Sequence, residues 1–95
     1  MKRALFFSAP WCSSCPAVKL TWMKAIRNYP DIAQRDIDMT TDEGRAMAAK
    51  YGFRSVPVII LINDDDTVYQ MFTTPGTMSE TDFETKLFHW QEADK

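Results

Sequence analysis

Apolar and polar positions alternate with different periods along the chain, and each change of period marks a predicted element. Arg3 to Ser8 contains Ala4-Leu5-Phe6-Phe7, a short apolar run that predicts a strand. Ala9 to Trp11 predicts a turn, with a helix beginning near Cys12. Along that helix Cys15, Val18, Trp22, Ala25, Ile26 and Tyr29 recur at spacings of three and four, which makes one buried stripe. Pro16 falls in the first turn, where a missing N–H costs little, and Pro30 stops the helix near Asn28. From Ile32 to Met39 the pattern alternates. Ala33, Arg35, Ile37 and Met39 share one face and Gln34, Asp36 and Asp38 the other, as in a half-exposed strand.

Thr40-Thr41-Asp42-Glu43 has the threonine-to-glutamate spacing of a capping box, so a second helix is predicted there, ended by Gly52. Val56 to Ile62 is almost wholly β-branched or leucine, the mark of a strand buried on both faces. Asn63-Asp64-Asp65-Asp66 is turn chemistry, and Thr67 to Thr73 returns as a strand, giving an antiparallel hairpin. Ser79, with Asp82 three residues on, caps a last helix with apolar residues Phe83, Leu87, Phe88 and Trp90. The predicted order is βαβαββα. This is an α/β fold with a four-stranded mixed sheet flanked by three helices, its first three elements forming a right-handed parallel crossover.

Length confines that pattern to a single domain over residues 1–95. A chain of this size buries somewhat over roughly 60% of its unfolded surface, enough for a core without disulfide staples. The net charge of −2 is spread without a basic patch, which argues against a nucleic-acid partner. No segment has the length of a transmembrane helix, and the apolar run after Lys2-Arg3 is too short for a signal-peptide core. The expectation is a soluble, monomeric, cytoplasmic protein.

Chemistry enters with Trp11-Cys12-Ser13-Ser14-Cys15, which holds the only two cysteines. A disulfide between them closes a tiny loop and constrains little of the unfolded chain, so reactivity explains the pair better than stapling. Two thiols with two residues between them, at a helix start after a strand, form a redox motif that can pass between dithiol and disulfide without unfolding the chain. Zinc wants about four ligands, and two cysteines with the single His89 do not supply them. His89, near the end of the last helix, reads as a surface or half-buried residue. The Asp64-Asp65-Asp66 run lacks the ligand spacing of a calcium loop.

The element order, the Trp-Cys-Ser-Ser-Cys motif after the first strand, and Lys50-Tyr51-Gly52-Phe53-Arg54-Ser55-Val56-Pro57 before the buried strand together resemble the thioredoxin family. The chain lacks that family's extra N-terminal strand and helix, so its size is nearer that of glutaredoxin-like members. The resemblance implies a thioredoxin-like fold and a redox-active Cys12–Cys15 disulfide with no further cofactor. It implies that Pro57 is a cis proline after Val56, facing the two sulfurs, and that Gly76 is the glycine of the loop after the last strand. A cis bond there leaves the Val56 backbone free to pair with a substrate peptide, so Trp11, Val56, Pro57 and Gly76 are candidate substrate-binding residues.

Roles for the cysteines follow from their places on the helix. The nucleophile in thiol exchange is a thiolate, and a helix N-terminus favours negative charge. Cys12 is therefore the expected attacker, and Cys15, on the buried stripe, the resolving thiol. Two departures from the family pattern bear on this. Ser13-Ser14 replaces the usual Gly-Pro, and two hydroxyls bonded to a thiolate would make the couple more oxidising. Aligned on Cys12, Phe6 occupies the place of a buried aspartate that is thought to assist proton transfer at the resolving cysteine. No acidic residue on the first strand replaces it.

The implied function is reduction of cytosolic protein disulfides, such as those of ribonucleotide reductase or a peroxidase. Electrons would come from a thioredoxin reductase or from glutathione. The alternative is a glutaredoxin-like protein that is glutathione-coupled or binds a metal or iron–sulfur cluster through Cys12. Thr74-Pro75-Gly76-Thr77 has one glycine where glutaredoxins show a Gly-Gly pair, which gives that alternative less support.

Overall fold

Val58–Ile62 carries no polar side chain, and none of its five residues is exposed. Full burial of each such side chain contributes on the order of 1.5–3 kcal/mol, so this strand has to lie inside a sheet covered on both faces. The computed structural model describes residues 1–93. Its elements run β1 (Arg3–Ser8), α1 (Cys15–Ile26), β2 (Ala33–Asp38), α2 (Asp42–Tyr51), β3 (Val58–Ile62), β4 (Val68–Phe72), a 3-10 turn (Pro75–Thr77) and α3 (Glu80–Glu92). The sheet has the order β2-β1-β3-β4, with β1 parallel to β2 and antiparallel to β3, and β3 antiparallel to β4.

Strand alternation divides the interior in two. Ala4 and Phe6 of β1 and Ile59 and Leu61 of β3 pack against Val18, Trp22, Phe83, Leu87 and Trp90 of α1 and α3. Leu5 and Phe7 with Val58, Ile60 and Ile62 point the other way, onto Ala48 of α2 and Phe53. Trp90 is fully buried, and its indole N–H is satisfied by Asn63 Oδ1 at 2.8 Å.

Several boundaries differ from the sequence expectation, each for a local reason. α1 begins at Cys15 rather than near Cys12, because residues 9–14 form turns in which Cys12 N–H bonds Ala9 O and Cys15 N–H bonds Cys12 O. It ends at Ile26 rather than near Asn28, since Asn28 and Tyr29 close tighter turns onto Ala25 and Ile26. β3 begins at Val58 and not at Val56, after a cis Val56–Pro57 bond. The N-cap of α2 is Thr41, whose hydroxyl accepts from Gly44 N–H. Thr40 is instead bonded to the Asp38 carboxylate, and Glu43 pairs with Arg35, so the expected capping box is absent there. Phe88 lies on the exposed side of α3. The Ser79–Asp82 capping box and the left-handed Gly52 C-cap stand where the sequence put them.

Two bonds from Thr40 hold the Asp38 carboxyl below the usual carboxylate range. A lowered folded value means that the ionised form favours the fold. That contribution is present above the ordinary range and fades as pH falls through the lowered value. Close packing beside this residue generates a sharper prediction. A Cβ on Gly44 would stand 2.2 Å from the Asp38 carbonyl oxygen, whereas one on Gly76 would meet only Val18 Cγ2 at 3.7 Å. Gly44→Ala should therefore lower stability by roughly 1–3 kcal/mol in urea denaturation. Gly76→Ala should stay within about 0.5 kcal/mol of the parent.

Candidate active site

Three chain segments meet at the C-terminal end of β1. Phe7 pairs with Val58 on one side and Ser8 with Asp38 on the other, and Met39 N–H continues the pairing by donating to Ser8 O at 2.9 Å. The turn that follows β1 therefore emerges beside the 55–57 turn that precedes β3. This convergence brings Cys12 and Val56 to one groove although they lie 44 positions apart in sequence.

Cys12 and Cys15 are joined in a disulfide, with a Cα–Cα distance of 5.4 Å. Cys12 is half-buried and reaches the surface in the turn before α1, while Cys15 is buried at the first residue of the helix. The first turn of α1 holds no acidic residue to offset the positive end of the helix. Ser14 occupies the N-cap position, but its hydroxyl makes no capping bond. Its Oγ lies 3.7 Å from Cys12 Sγ. A disulfide sulfur has no proton, so the serine O–H is the donor. Ser13 is exposed and makes no such contact among the described residues, so one hydroxyl rather than two reaches the sulfur.

Trp11 stands 69% exposed beside the disulfide, its indole face open to solvent. It borders a groove of about 480 Å³ together with Cys12, Val56, Met39, Arg45 and Arg54. Pro57, half-buried and in the cis bond, follows Val56 but itself borders neither cavity at Cys12. Gly76 sits apart, over Val18 of α1, and borders neither cavity at Cys12. Sequence reasoning missed Met39, Arg45 and Arg54. Arg54 is two residues before Val56, a proximity that could have flagged it. Arg45 is brought in only by the packing of α2 and left no sequence signal.

A second cavity of about 300 Å³ lies behind the disulfide, bordered by Cys12, Cys15, Phe6, Ser8, Lys19 and neighbouring prolines. Phe6 is 2% exposed and faces the α1–α3 core, so an apolar ring backs the sulfurs where the family resemblance led to an aspartate. Among the described residues no three His, Cys, Asp or Glu side chains cluster as metal ligands.

Comparison with known proteins fits this geometry. The thioredoxin family model matches residues 3–88. Thioredoxin 1 of Synechococcus elongatus is 32% identical over 62 residues, covering 65% of this chain and 57% of that protein's length. A thioredoxin of Porphyra purpurea is 28% identical over 81 residues, covering 85% of this chain and 72% of that protein. The chain thus matches little more than half of the Synechococcus relative. The solved structure of thioredoxin 1 from the thermophilic eubacterium Thermosipho africanus superposes with a TM-score of 0.76 at 22% identity, covering 97% of each chain, and shows the common fold. Residues 3–88, the β2-β1-β3-β4 sheet with its three helices, and a CxxC-type disulfide at the start of α1 place this chain in the thioredoxin family.

Proposed function

We propose that this protein is a thiol–disulfide oxidoreductase that reduces disulfides in other proteins, with Cys12 as the attacking and Cys15 as the resolving thiol. The observation that carries this reading is the asymmetry of the pair. Cys12 reaches the surface beside an exposed tryptophan, and Cys15 lies buried three residues on, at the first residue of α1. In the reduced protein the Cys12 thiolate attacks one sulfur of the substrate disulfide, forming a mixed disulfide and releasing the substrate's other thiolate. The Cys15 thiolate then attacks Cys12 Sγ, forming the Cys12–Cys15 bond and expelling the second substrate thiolate. Two electrons pass from the cysteine pair to the substrate. The dithiol of a thioredoxin reductase, or two glutathione molecules that leave as glutathione disulfide, restores the reduced pair.

The indole of Trp11 offers the substrate a flat apolar surface, and the Val56 backbone, outside the β3 ladder, offers an edge for an extended peptide. Disulfide-forming enzymes such as ribonucleotide reductase or a peroxidase are suitable substrate classes. A cytoplasmic setting suits a chain whose only cysteines are one exchangeable pair.

The test is turnover of a protein disulfide by the reduced protein and two variants. Cys12→Ser should abolish turnover. Cys15→Ser should attack once and accumulate a mixed disulfide at Cys12, seen as a mass increase that dithiothreitol removes. Trapping at neither cysteine, or undiminished turnover by Cys12→Ser, would sink the reading.

A further prediction concerns the single serine that reaches the sulfur. A thiolate is a stronger acceptor than a disulfide sulfur, so the Ser14 hydroxyl favours the reduced form. Ser14→Ala should make the couple more reducing by roughly 10–30 mV, the equivalent of one hydrogen bond of about 0.5–1.4 kcal/mol. Ser13→Ala should leave it unchanged. Tryptophan fluorescence in graded thiol buffers reads both, and equal shifts in the two variants would count against the Ser14 contact.

A further inference from the structure

Resolution requires the buried Cys15 thiol to lose its proton, and the wall behind it is apolar. Phe6 fills that wall, and β3 with the turn before it, residues 55–62, has no charged side chain. The Pro75–Thr77 turn has none either. The one charged side chain bordering the cavity behind the disulfide is Lys19. It stands four residues after Cys15 on α1, so the two share a helix face, and side chains on a helix lean toward its N-terminus. Lys19 Nζ is tied to Asp36 Oδ2 on β2, the residue in register with Phe6. The ammonium therefore lies on the same sheet face as the phenyl ring.

We propose that Lys19, at the rim of the cavity behind the disulfide, stabilises the Cys15 thiolate during resolution and supplies the electrostatic assistance that no carboxylate on β1 provides. This rests on the oxidoreductase reading above and assigns the group that serves its second step. The Cys15 proton leaves to water at the mouth of the cavity beside the exposed Pro10 and Pro16. The thiolate, paired with the ammonium, then attacks Cys12 Sγ. The Cys12–Cys15 bond forms, the bond from Cys12 to the substrate sulfur breaks, and that sulfur departs as the thiolate with the electron pair.

The other charged groups near this face are accounted for. Asp38 on β2 is bonded to Thr40, and Arg3 on β1 is paired with Asp66 at the far end of the strand. Glu84 of α3 accepts from Asn28, beyond the other end of α1. Arg54 borders the groove on the opposite side of Cys12. As a surface ion pair alone, Lys19–Asp36 would matter little, since both side chains are about half exposed at 44% and 54%. What gives it consequence is that Lys19 borders the same cavity as the buried Cys15.

The experiment uses the full chain and a dithiobis-nitrobenzoate probe. The first coloured thiolate released reports attack by Cys12, and the second reports resolution by Cys15. In Lys19→Gln the second release should slow roughly threefold to tenfold at neutral pH, with the first unaltered. In a Cys12→Ser background, Lys19→Gln should raise the pH of half-ionisation of Cys15, followed by thiolate absorbance, and Lys19→Arg should restore it. Asp36→Asn removes a competing negative charge, so it should lower that pH and not slow the second release. An unmoved Cys15 titration in Lys19→Gln overturns the proposal, whatever happens to the rate. A second release slowed by Asp36→Asn overturns it in favour of the carboxylate as proton acceptor. Absence of the first release from the parent protein would instead mean that the oxidoreductase reading itself has failed.

Discussion

The pairing of β1 with β3 is the constraint on which the site depends. Both strands are buried, and their antiparallel register sets Phe7 against Val58. The end of one strand is thereby fixed next to the start of the other. A slip of one residue would turn every side chain of β3 to the wrong core, exchanging Ile59 and Leu61 with Val58, Ile60 and Ile62. The hydrophobic pattern thus specifies the register, and the register in turn positions Cys12 beside Val56.

That dependence explains why the sequence disclosed some parts of the molecule and hid others. β3 announced itself because burial on both faces leaves no polar position, and α3 because Ser79 and Asp82 form a self-contained local device. Gly52 was equally plain, since a left-handed C-cap is a backbone demand that glycine meets best. Thr40 misled because two adjacent threonines can each serve as a cap, and the Asp38 carboxylate decided between them. The start of α1 was misplaced because the three residues before Cys15 have helix-compatible side chains. Only the hydrogen bonds of Cys12 and Cys15 show that they turn first. Arg45 borders the groove through tertiary packing, which no local pattern encodes, whereas Arg54 was marked only by its nearness to Val56.

Ser14 shows two local demands competing for one hydroxyl. A serine at an N-cap ordinarily bonds a free N–H of the first helical turn, a contact worth about 1 kcal/mol. Here it turns to Cys12 Sγ, and α1 goes without a side-chain cap. Pro16 lessens the loss, because it removes one of the N–H groups that a cap would otherwise have to satisfy. The positive end of α1, with no acidic residue in its first turn, still lies at the disulfide, where an anion forms when that bond opens. Stability given up at the helix end thus becomes stabilisation of the reduced form.

Phe6 poses the same question on the other side of the disulfide. An aspartate in the wall behind Cys15 would have to be desolvated among Ala4, Ile59 and Trp22, at a cost of several kcal/mol if ionised and unpaired. A phenylalanine there removes that cost and adds to the core, where Phe6 is among the largest fully buried side chains. The proton still has to leave Cys15, so the charge that assists it can only come from the rim. The Lys19–Asp36 pair is placed there, part in solvent and part over the cavity, where each ion keeps most of its hydration. A rim charge acts more weakly than a buried one because water screens it. If Cys15 resolves as proposed, a core without a buried charge comes with slower resolution of the mixed disulfide.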